Sequence, residues 1–518
     1  MYLEAFGVKN LRCLTDTGLV PIRPITLLVG RNSSGKSTFL RAFPLLRQSV
    51  ETARNSPVLW YDDRYVDFGS LQAAANNRLS EPSVTFMFRL RAPESIDLEA
   101  EVAMTLAGGE NPYVSAYEIH GMGQESRWTF DAHRRAQSVT IDGSVVALDK
   151  ALALGDRAYF LPSILPWKQD STLRYVAAPD TLRFDRDGDP LDSLQALLVP
   201  FAAALMPFLH GDPTTDDNAR KIQSLIPDTM RQKLASVLVE TIPKQDVHTL
   251  SDTDLWAVAT NSLALKASLA IRFADMIIAH LMSSVSYLAP LRVVPLRSYR
   301  IQNLAVDEVA PDGGNLAMFL HSLSPMEVDS FADFTRAALG FETMVKAGGI
   351  HAEILVKSGS ASRFVNLVDV GFGYSEVLPL AATLWSTCVR PGVMQQKTKL
   401  AKAKIVAVEQ PELHLHPGHQ AKLARMFVEA ASRSRADGVG AQIIVETHSE
   451  SLINGLGKLV YEGLIKAEDI QIVLFDQDEE TGDTSVRLAG YNENGALHDW
   501  PYGFLSPVAE RRVSPAAE

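Results

Sequence analysis

The chain has 518 residues, of which 46% are hydrophobic and 21% are charged, and its formal net charge is −12 at pH 7. This composition excludes a largely disordered chain, and the length predicts roughly two to four domains. The negative charge argues against non-specific DNA binding over the whole surface, although it leaves a local basic patch open. The two cysteines, Cys13 and Cys388, form neither a disulfide framework nor a metal-binding spacing, which predicts a reducing environment.

The sequence predicts no segment for export or for membrane insertion. Met1 leads directly into a strand pattern without the features of a signal peptide. The most apolar stretch, residues 194–209, contains two prolines and is short for a bilayer span, so it predicts a buried helical hairpin. We therefore expect a cytoplasmic protein with no membrane partner.

The first third of the chain is rich in strand patterns. Residues 2–12 alternate as an opening strand, and residues 24–29 form an apolar run before a glycine-rich loop. Between residues 83 and 146, alternating runs and the turn signal Asp142-Gly143 predict antiparallel hairpins. We expect these hairpins to form an antiparallel β lobe.

The glycine-rich loop, residues 30–38, has the pattern G-x-x-x-x-G-K-[ST] between a strand and a helix. Such a loop lets successive backbone N–H groups converge on phosphates, while a lysine and a helix N-terminus add positive charge. A serine hydroxyl in this position can bind Mg²⁺, which prefers oxygen ligands. The pattern therefore predicts a site for ATP with Mg²⁺. The residues expected to contact the nucleotide are Gly30, Asn32, Ser33, Ser34, Gly35, Lys36, Ser37 and Thr38.

The middle of the chain, residues 150–288, has a helical pattern. Residues 255–288 keep apolar side chains at three- and four-residue spacing, without the sustained heptads of a long coiled-coil arm. We therefore predict an all-helical insertion that ends before Ala289.

The second half returns to an α/β pattern. Residues 404–409 and 442–449 are apolar runs that end in polar side chains, as central strands of a parallel sheet do. The polar ends would lie at the carboxyl edge of that sheet, where α/β proteins bind ligands. Residues 369–380 predict a turn that leads into a helix.

Taken in order, these motifs resemble ABC-type ATPase heads of the SMC and RecF kind. They resemble more closely the ATPase part of OLD-family (overcoming lysogenisation defect) proteins and related bacterial defence ATPases. The segments that carry the resemblance are Asn10–Arg12, Gly30–Thr38, Val370–Pro379, Val408–Pro417 and Glu446–Ser449, and residues 494–504 are similar to a short C-terminal domain of one subgroup.

The resemblance implies an α/β fold: an ABC-type ATPase head with a mixed or parallel core sheet, an antiparallel β lobe and a helical insertion. The corresponding domains are residues 1–149 and 289–485 for the two parts of the head, 150–288 for the insertion, and 486–518 for the C-terminal domain and tail.

The resemblance also implies roles for individual residues. Lys36 would hold the β- and γ-phosphates, and Ser37 with Glu409 would hold Mg²⁺ directly or through water. His448 would approach the γ-phosphate as a switch, and Arg12 would touch the nucleotide from the first strand.

A signature-like turn at residues 371–376 would contact the γ-phosphate of a second subunit. Its expected contact residues are Gly373, Ser375 and Glu376, although the signature serine of the family aligns with Gly373 in this chain. ATP would then be sandwiched in a homodimer or a higher homo-oligomer. A plain strand-to-helix turn is the alternative interpretation.

The end of the strand at residues 404–409 departs from the family pattern. A glutamate that activates water would follow Glu409, but this chain has Gln410, then Pro411 and Glu412. An amide can orient water but cannot accept its proton at neutral pH. Either Glu412 supplies the carboxylate, or hydrolysis is slow, or Gln410 only caps the strand.

The favoured function is that of an ATP-driven sensor or scaffold that controls a separate effector, such as a nuclease, in anti-phage defence. The first alternative is a RecF- or SMC-like DNA-repair ATPase that binds DNA directly. Arg292, Arg297 and Arg300 form a basic cluster that could bind DNA or an acidic partner, or could be a solvated basic face. The second is a self-contained OLD-like nuclease that uses the acidic pair Asp476 and Asp478. The histidines at 414, 416 and 419 suggest zinc only weakly, because no cysteine accompanies them.

Overall fold

The computed structural model describes residues 2–175, 271 and 274–500. Within these ranges, the stretches outside the described residues are 92–98, 122–123, 134–135, 142, 147–151, 155–156, 159–163, 167–173, 303–305, 360–362, 391–403 and 437–439. The chain divides into two compact units. Unit 1 comprises residues 1–12, 43–284 and 393–403, and unit 2 comprises residues 13–42, 285–392 and 404–518.

The secondary structure alternates between strands and helices along the described chain. Numbered in chain order, the strands are β1 (Tyr2–Leu11), β2 (Leu14–Asp16), β3 (Val20–Pro21), β4 (Ile25–Gly30), β5 (Ser83–Arg91), β6 (Glu99–Ala107), β7 (Tyr113–Gly121), β8 (Gln124–Phe130), β9 (Ala136–Ile141), β10 (Ser144–Val146), β11 (Leu152–Leu154), β12 (Arg157–Ala158), β13 (Ile164–Pro166), β14 (Arg174–Tyr175), β15 (Val285–Leu288), β16 (Tyr299–Arg300), β17 (Phe341–Gly348), β18 (His351–Ser358), β19 (Val365–Asn366), β20 (Lys404–Glu409), β21 (Ala441–Glu446), β22 (Ile470–Gln477), β23 (Thr484–Tyr491) and β24 (Leu497–His498). The helices are α1 (Lys36–Glu51), α2 (Leu71–Ala74), α3 (Leu316–His321), α4 (Pro325–Leu339), α5 (Phe372–Cys388), α6 (Pro417–Ala436) and α7 (Glu450–Tyr461).

Unit 1 contains the predicted antiparallel β lobe. Its strands lie in the order β10-β9-β8-β7-β6-β5-β1, and each neighbouring pair is antiparallel. Buried and half-exposed residues alternate along β5, so one face of the strand carries Phe86 and Phe88 into the core. Phe6 of β1 packs against Phe88 with ring centroids 5.4 Å apart. The alternation in the sequence therefore determines which face of the lobe is buried.

The structure differs from the predicted all-helical insertion at both of its ends. Near the start, β11 pairs antiparallel with β13, and β12 pairs parallel with β14. Near the end, residues 274–283 are helical, but β15 follows and pairs in parallel with β20 of unit 2. All residues of β15 are buried, and periodicity alone cannot assign such a short apolar run to a helix or a strand. Residues 176–270, including the predicted hairpin at 194–209, lie outside the described residues.

Unit 2 is built on a seven-stranded sheet in the order β15-β20-β21-β4-β22-β23-β24. The strands from β15 to β22 run parallel, and β23 and β24 are antiparallel to their neighbours. Every residue of β4 and of β21 is buried, as expected for central strands. The carboxyl ends of β4, β20 and β21 therefore lie along one edge. The α/β class, the core sheet and the β lobe of the prediction are confirmed.

Helices and a second sheet complete unit 2. Helix α6 packs against α4, α5 and α7, and Trp385 of α5 packs edge-on against Phe331 of α4 with ring centroids 5.3 Å apart. The smaller sheet has the order β16-β18-β17, with β19 paired to β18. Among the described residues, no helix combines the length and the apolarity needed to cross a bilayer.

The C-terminal boundary predicted at residues 485/486 falls inside β23. This strand pairs with β22 from Thr484 to Ala489 and with β24 through Gly490 and Tyr491, so residues 486–491 continue the core sheet. The following turn packs closely on α7, because a Cβ on Gly457 would lie 2.5 Å from the carbonyl oxygen of Gly495. Residues 486–500, the described part of the predicted C-terminal segment, therefore belong to unit 2. Residues 501–518 lie outside the described residues.

Candidate functional site

The glycine-rich loop connects β4 to α1, as predicted, and close packing explains both of its glycines. A Cβ on Gly30 would collide with the carbonyl oxygen of Phe475 on β22. Gly35 has a φ of +93°, and a Cβ there would lie 2.5 Å from the side chain of Leu14. A Cβ would therefore meet a steric contact at either position, and at Gly35 it would also be strained by the positive φ.

The other loop residues differ in their exposure. Asn32 and Ser33 are exposed at the tip of the loop, whereas Ser34 and Thr38 are buried. The hydroxyl of Ser34 donates to the carbonyl oxygen of Arg31 at 2.8 Å and closes the loop. The loop therefore exposes its tip while its base is held by hydrogen bonds.

Lys36 is the first residue of α1, and only 3% of it is exposed. Its Nζ donates to the carbonyl oxygen of Arg31 at 2.6 Å. Burial lowers the pKa of the Lys36 ammonium, and the negative charges of Glu446 and Glu412 oppose this effect. Because its hydrogen bond in this state is to a neutral carbonyl, the ammonium can exchange that partner for a phosphate oxygen.

Ser37 is placed next to a carboxylate at the end of β21. Its hydroxyl donates to Glu446 Oε1 at 2.9 Å. Glu446 is 1% exposed, and its other oxygen, Oε2, has no hydrogen-bond partner within the described residues. Burial, followed by the negative charge of Glu409, raises the pKa of the Glu446 carboxyl. This carboxylate was not among the residues predicted from the sequence.

The predicted magnesium pair, Ser37 and Glu409, is not brought together by a hydrogen bond. Instead, Arg41 Nε and Nη2 donate to the two oxygens of Glu409 at 2.7 and 2.8 Å. The hydroxyl of Tyr287 also donates to Glu409 Oε1 at 2.7 Å. Burial raises the pKa of Tyr287 far above its usual range, so this hydroxyl remains a donor. Both oxygens of Glu409 therefore accept hydrogen bonds from protein donors, and its charge is paired with that of Arg41.

Gln410 lies directly after β20 in a positive-φ conformation of 40°. Its backbone N–H donates to the carbonyl oxygen of Glu446 at 2.9 Å, and its side-chain amide lies 3.4 Å from Glu446 Oε1. The side chain thus contacts the same carboxylate as Ser37, and its backbone also caps the strand end.

Glu412 and His448 meet at the carboxyl edge of the sheet. The backbone N–H of His448 donates to Glu412 Oε1 at 2.6 Å, while Glu412 Oε2 and His448 Nε2 have no partner within the described residues. Burial raises the pKa of the Glu412 carboxyl and lowers that of the His448 imidazole. These shifts favour a neutral imidazole and strengthen the basicity of the carboxylate.

The signature-like turn lies at the start of α5. Gly371 is the exposed N-cap residue, and Gly373, Ser375 and Glu376 lie in the first turns of the helix. Ser375 is 8% exposed, and Glu376 accepts a hydrogen bond from Arg292 at 3.2 Å. The exposed part of the turn is therefore its backbone end, and the predicted contacts to a second subunit stay predictions.

Arg12 belongs to unit 1. Its guanidinium lies 4.3 Å over the ring of Phe68 and donates to the carbonyl oxygen of Asp67 at 3.4 Å. Its expected contact with the nucleotide stays a prediction.

Residues proposed for the alternative functions have partners of their own. Asp476 forms an ion pair with Arg487 at 3.3 Å, and Asp478 Oδ1 accepts the N–H groups of Glu480 and Thr481. Within the described parts of the chain, no group of three or more histidine, cysteine, aspartate or glutamate residues could hold a metal ion.

The polar atoms around the loop match the chemistry of ATP with Mg²⁺. Buried atoms without partners in the described residues include Oε2 of Glu412, Oε2 of Glu446, Nε2 of His448, and Nε and Nη2 of Arg292. Unpaired buried polar groups cost roughly 1–3 kcal/mol each, so such a set indicates that a ligand completes it. Phosphate oxygens would accept hydrogen bonds from the unpaired donors, and a cation would bind the carboxylate oxygens. The bound cation would also neutralise the phosphate charge. The residues present therefore fit this group.

The sequence missed the partners that lie far from the motifs along the chain. Arg41 and Tyr287 gave no signal of their own, and Arg292 was noticed only as one of three arginines in a basic cluster with Arg297 and Arg300. Glu446 could have been noticed, because it ends the same apolar run that leads to His448.

Residues 1–84 and 330–453 match the family model of the AAA ATPase domain. These ranges contain the glycine-rich loop, Glu409, Gln410, Glu412 and His448. The two matched ranges lie on either side of residues 85–329, and together they cover less than half of the chain.

The chain is also similar to the OLD nuclease of Thermus scotoductus, with 32% identity over 158 residues. The aligned part covers 28% of this chain and 29% of that protein, so the chain spans less than a third of the length of this relative. Among solved structures, it is similar to the SMC head domain from Thermotoga maritima, with 11% identity, a TM-score of 0.36, and coverage of 94% of this chain and 98% of that one. The SMC head bound to the C-winged helix domain of ScpA gives 11% identity, a TM-score of 0.35, and coverage of 95% and 98%.

Proposed function

We propose that this chain binds ATP with Mg²⁺ at residues 30–38 and hydrolyses it, and that the ATP-bound state brings two copies together. The paired heads would act as a sensor or scaffold that controls a separate effector, such as a nuclease, in defence against phage. The observation that carries ATP binding is the buried loop lysine, Lys36, whose ammonium donates to a backbone carbonyl and, in the described part of the chain, to no carboxylate.

Hydrolysis is supported by the groups on the neighbouring strand ends. Among the described residues, one oxygen of Glu412 has no hydrogen-bond partner, and burial raises the pKa of this carboxyl, which suits a group that accepts a proton from water. The ring nitrogen Nε2 of His448 likewise has no partner in the part of the chain that the structure describes, and it can face a phosphate oxygen. Position 410 supplies an amide instead of a second carboxylate, so we expect turnover to be slow and the ATP-bound state to be long-lived.

The two-copy arrangement is supported by the start of α5. The exposed N-terminus of this 17-residue helix offers backbone N–H groups and a partial positive charge, which suit the γ-phosphate of ATP bound to another copy. The ion pair between Arg292 and Glu376 fixes the first turn, and the Arg292 side chain is only 1% exposed. A two-fold pair would use this surface twice.

A nuclease is the second candidate, because the curated relative is named a nuclease. In this chain the acidic pair at 476 and 478 already has protein partners, which favours an effector on another chain. Direct DNA binding would have to use a local basic cluster. Arg297 of that cluster is engaged with Asp369, so this alternative has less support.

The ATP site is tested by titration calorimetry with ATP and Mg²⁺ on Lys36→Ala. Losing charge-assisted hydrogen bonds worth about 1.5–3 kcal/mol each should weaken ATP binding by at least roughly 10-fold. The control variant is Lys458→Ala, which removes an exposed lysine from α7 and should bind ATP like the wild type. Equal affinities of the two variants would reject the proposed site.

The nuclease alternative is tested with plasmid DNA, ATP and Mg²⁺, with and without the products of the neighbouring genes. We expect DNA cleavage only when the neighbouring gene products are added. Cleavage by the purified chain alone, lost on replacing Asp478 with asparagine, would instead support a self-contained nuclease.

A further inference from the structure

Two glutamates end neighbouring parallel strands at the same level of the sheet. Glu409 ends β20 and Glu446 ends β21, and the two residues are direct partners in the strand register. Both are almost fully buried, with 2% and 1% of their surfaces exposed. Their partners nevertheless differ completely, and this difference separates a structural carboxylate from one that is open to a ligand.

Both oxygens of Glu409 are already held by protein donors, one of which is a cation. Both of its oxygens accept from the guanidinium of Arg41, and Oε1 also accepts from Tyr287. The bidentate ion pair neutralises the carboxylate and ties α1 to β20. A cation at this position would have to displace the guanidinium of Arg41.

Glu446 has the opposite environment. Its Oε1 accepts from the hydroxyl of Ser37, and the amide of Gln410 lies at 3.4 Å from the same oxygen. Within the described residues its Oε2 has no hydrogen-bond partner, and the positive charges of Lys36 and Arg41 only partly offset the rise in its pKa that burial and Glu409 cause. A buried carboxylate in this state is costly unless a cation compensates it.

We propose that Glu446, together with Ser37, provides the protein ligands for the Mg²⁺ that accompanies ATP, and that Glu409 has a structural role. This inference rests on the proposed ATP binding. Mg²⁺ is commonly bound by one or two protein oxygens, with phosphate oxygens and waters filling its octahedral shell. Two protein ligands on adjacent elements are therefore sufficient, and Ser37 already lies 2.9 Å from the carboxylate.

The test uses Mn²⁺ as a paramagnetic probe of the Mg²⁺ site. Free Mn²⁺ is measured by electron paramagnetic resonance while it is titrated into the full chain, first alone and then with a non-hydrolysable ATP analogue. Glu446→Gln keeps an oxygen acceptor for Ser37 but removes the charge, so we expect Mn²⁺ affinity of the nucleotide complex to fall by about 10-fold or more. Affinity for the nucleotide in the absence of metal should be retained.

Glu409→Gln is the matched variant on the neighbouring strand. It should bind Mn²⁺ with the affinity of the wild type and should melt at a lower temperature, because Arg41 loses its partner. Ser37→Ala provides a second, smaller change at the proposed site and should also weaken Mn²⁺ binding.

The outcomes separate this inference from the proposed function. If Glu409→Gln loses Mn²⁺ while Glu446→Gln keeps it, the metal carboxylate is Glu409 and the inference is rejected. If neither variant nor Ser37→Ala changes Mn²⁺ affinity, the nucleotide alone holds the metal and the inference is also rejected. Failure of the wild type to bind the nucleotide without metal would instead reject the proposed function, and the inference with it.

Discussion

Replacing Arg41 with methionine should destabilise unit 2 by leaving a buried carboxylate without its cation. Arg41 makes two hydrogen bonds to Glu409, which is 2% exposed, and methionine preserves most of the volume of the aliphatic stem. After the change, the hydroxyl of Tyr287 remains as a donor to the carboxylate. The substitution therefore removes charge compensation and leaves most of the packing intact.

The expected loss of stability in Arg41→Met follows from the burial of Arg41 and Glu409. Breaking a buried ion pair by removing one partner costs about 3–5 kcal/mol. The Arg41 side chain is 35% exposed, so solvent partly screens its charge. We therefore expect a cost in the lower part of that range, about 3 kcal/mol. At about 2–4 °C per kcal/mol for a domain of 150–250 residues, the melting temperature should fall by about 6–12 °C.

The assay is thermal unfolding followed by circular dichroism or intrinsic fluorescence, without nucleotide. Tyr287→Phe removes one hydrogen bond to the same carboxylate and should lower the melting temperature by less than Arg41→Met does. Arg487→Met is the control, because its ion pair with Asp476 is exposed and such pairs contribute about 0–1 kcal/mol. If Arg41→Met melts at the same temperature as Arg487→Met, the structural role proposed for Glu409 is rejected.

Three further predictions concern turnover, pairing and packing. Glu412→Gln should slow single-turnover ATP hydrolysis by about 10²–10⁴-fold without changing ATP affinity, because it removes the carboxylate that would accept the proton from water. Gly371→Arg should abolish ATP-dependent cross-linking between two copies, because it adds bulk and charge at an exposed helix N-terminus while leaving each site intact. Gly457→Ala should lower stability by about 1–3 kcal/mol, measured by urea denaturation, because its Cβ would lie 2.5 Å from the carbonyl oxygen of Gly495.

Each of these predictions has a control or a contradicting result. A faster rate in Gln410→Glu, with Glu412→Gln unaffected, would place water activation at position 410. Gly348→Arg, at an exposed glycine with open space around it, should cross-link like the wild type. Undiminished cross-linking in Gly371→Arg would remove the start of α5 from the interface, and wild-type stability in Gly457→Ala would mean that the C-terminal turn is not tightly packed on α7.

The sequence by itself determined the features that depend on local spacing. The loop at residues 30–38 could be assigned because a strand, two glycines, a lysine and a helix follow one another directly in the chain. The alternation in β5 and the continuous apolar runs of β20 and β21 likewise predicted which strands form the lobe and which lie in the middle of a parallel sheet. The polar ends of those strands marked the edge at which the candidate site lies.

Only the tertiary structure decided which carboxylate at that edge is open to a ligand. Glu409 and Glu446 both end apolar strands, and their sequence contexts do not distinguish a neutralised carboxylate from an open one. The difference depends on Arg41, which is 368 residues from Glu409, and on Tyr287. Tyr287 lies on β15, a strand assigned from the sequence to a helical insertion. Lateral pairing of strands and the position of a helix above them are set by the packing of the whole unit, and no local pattern encodes them.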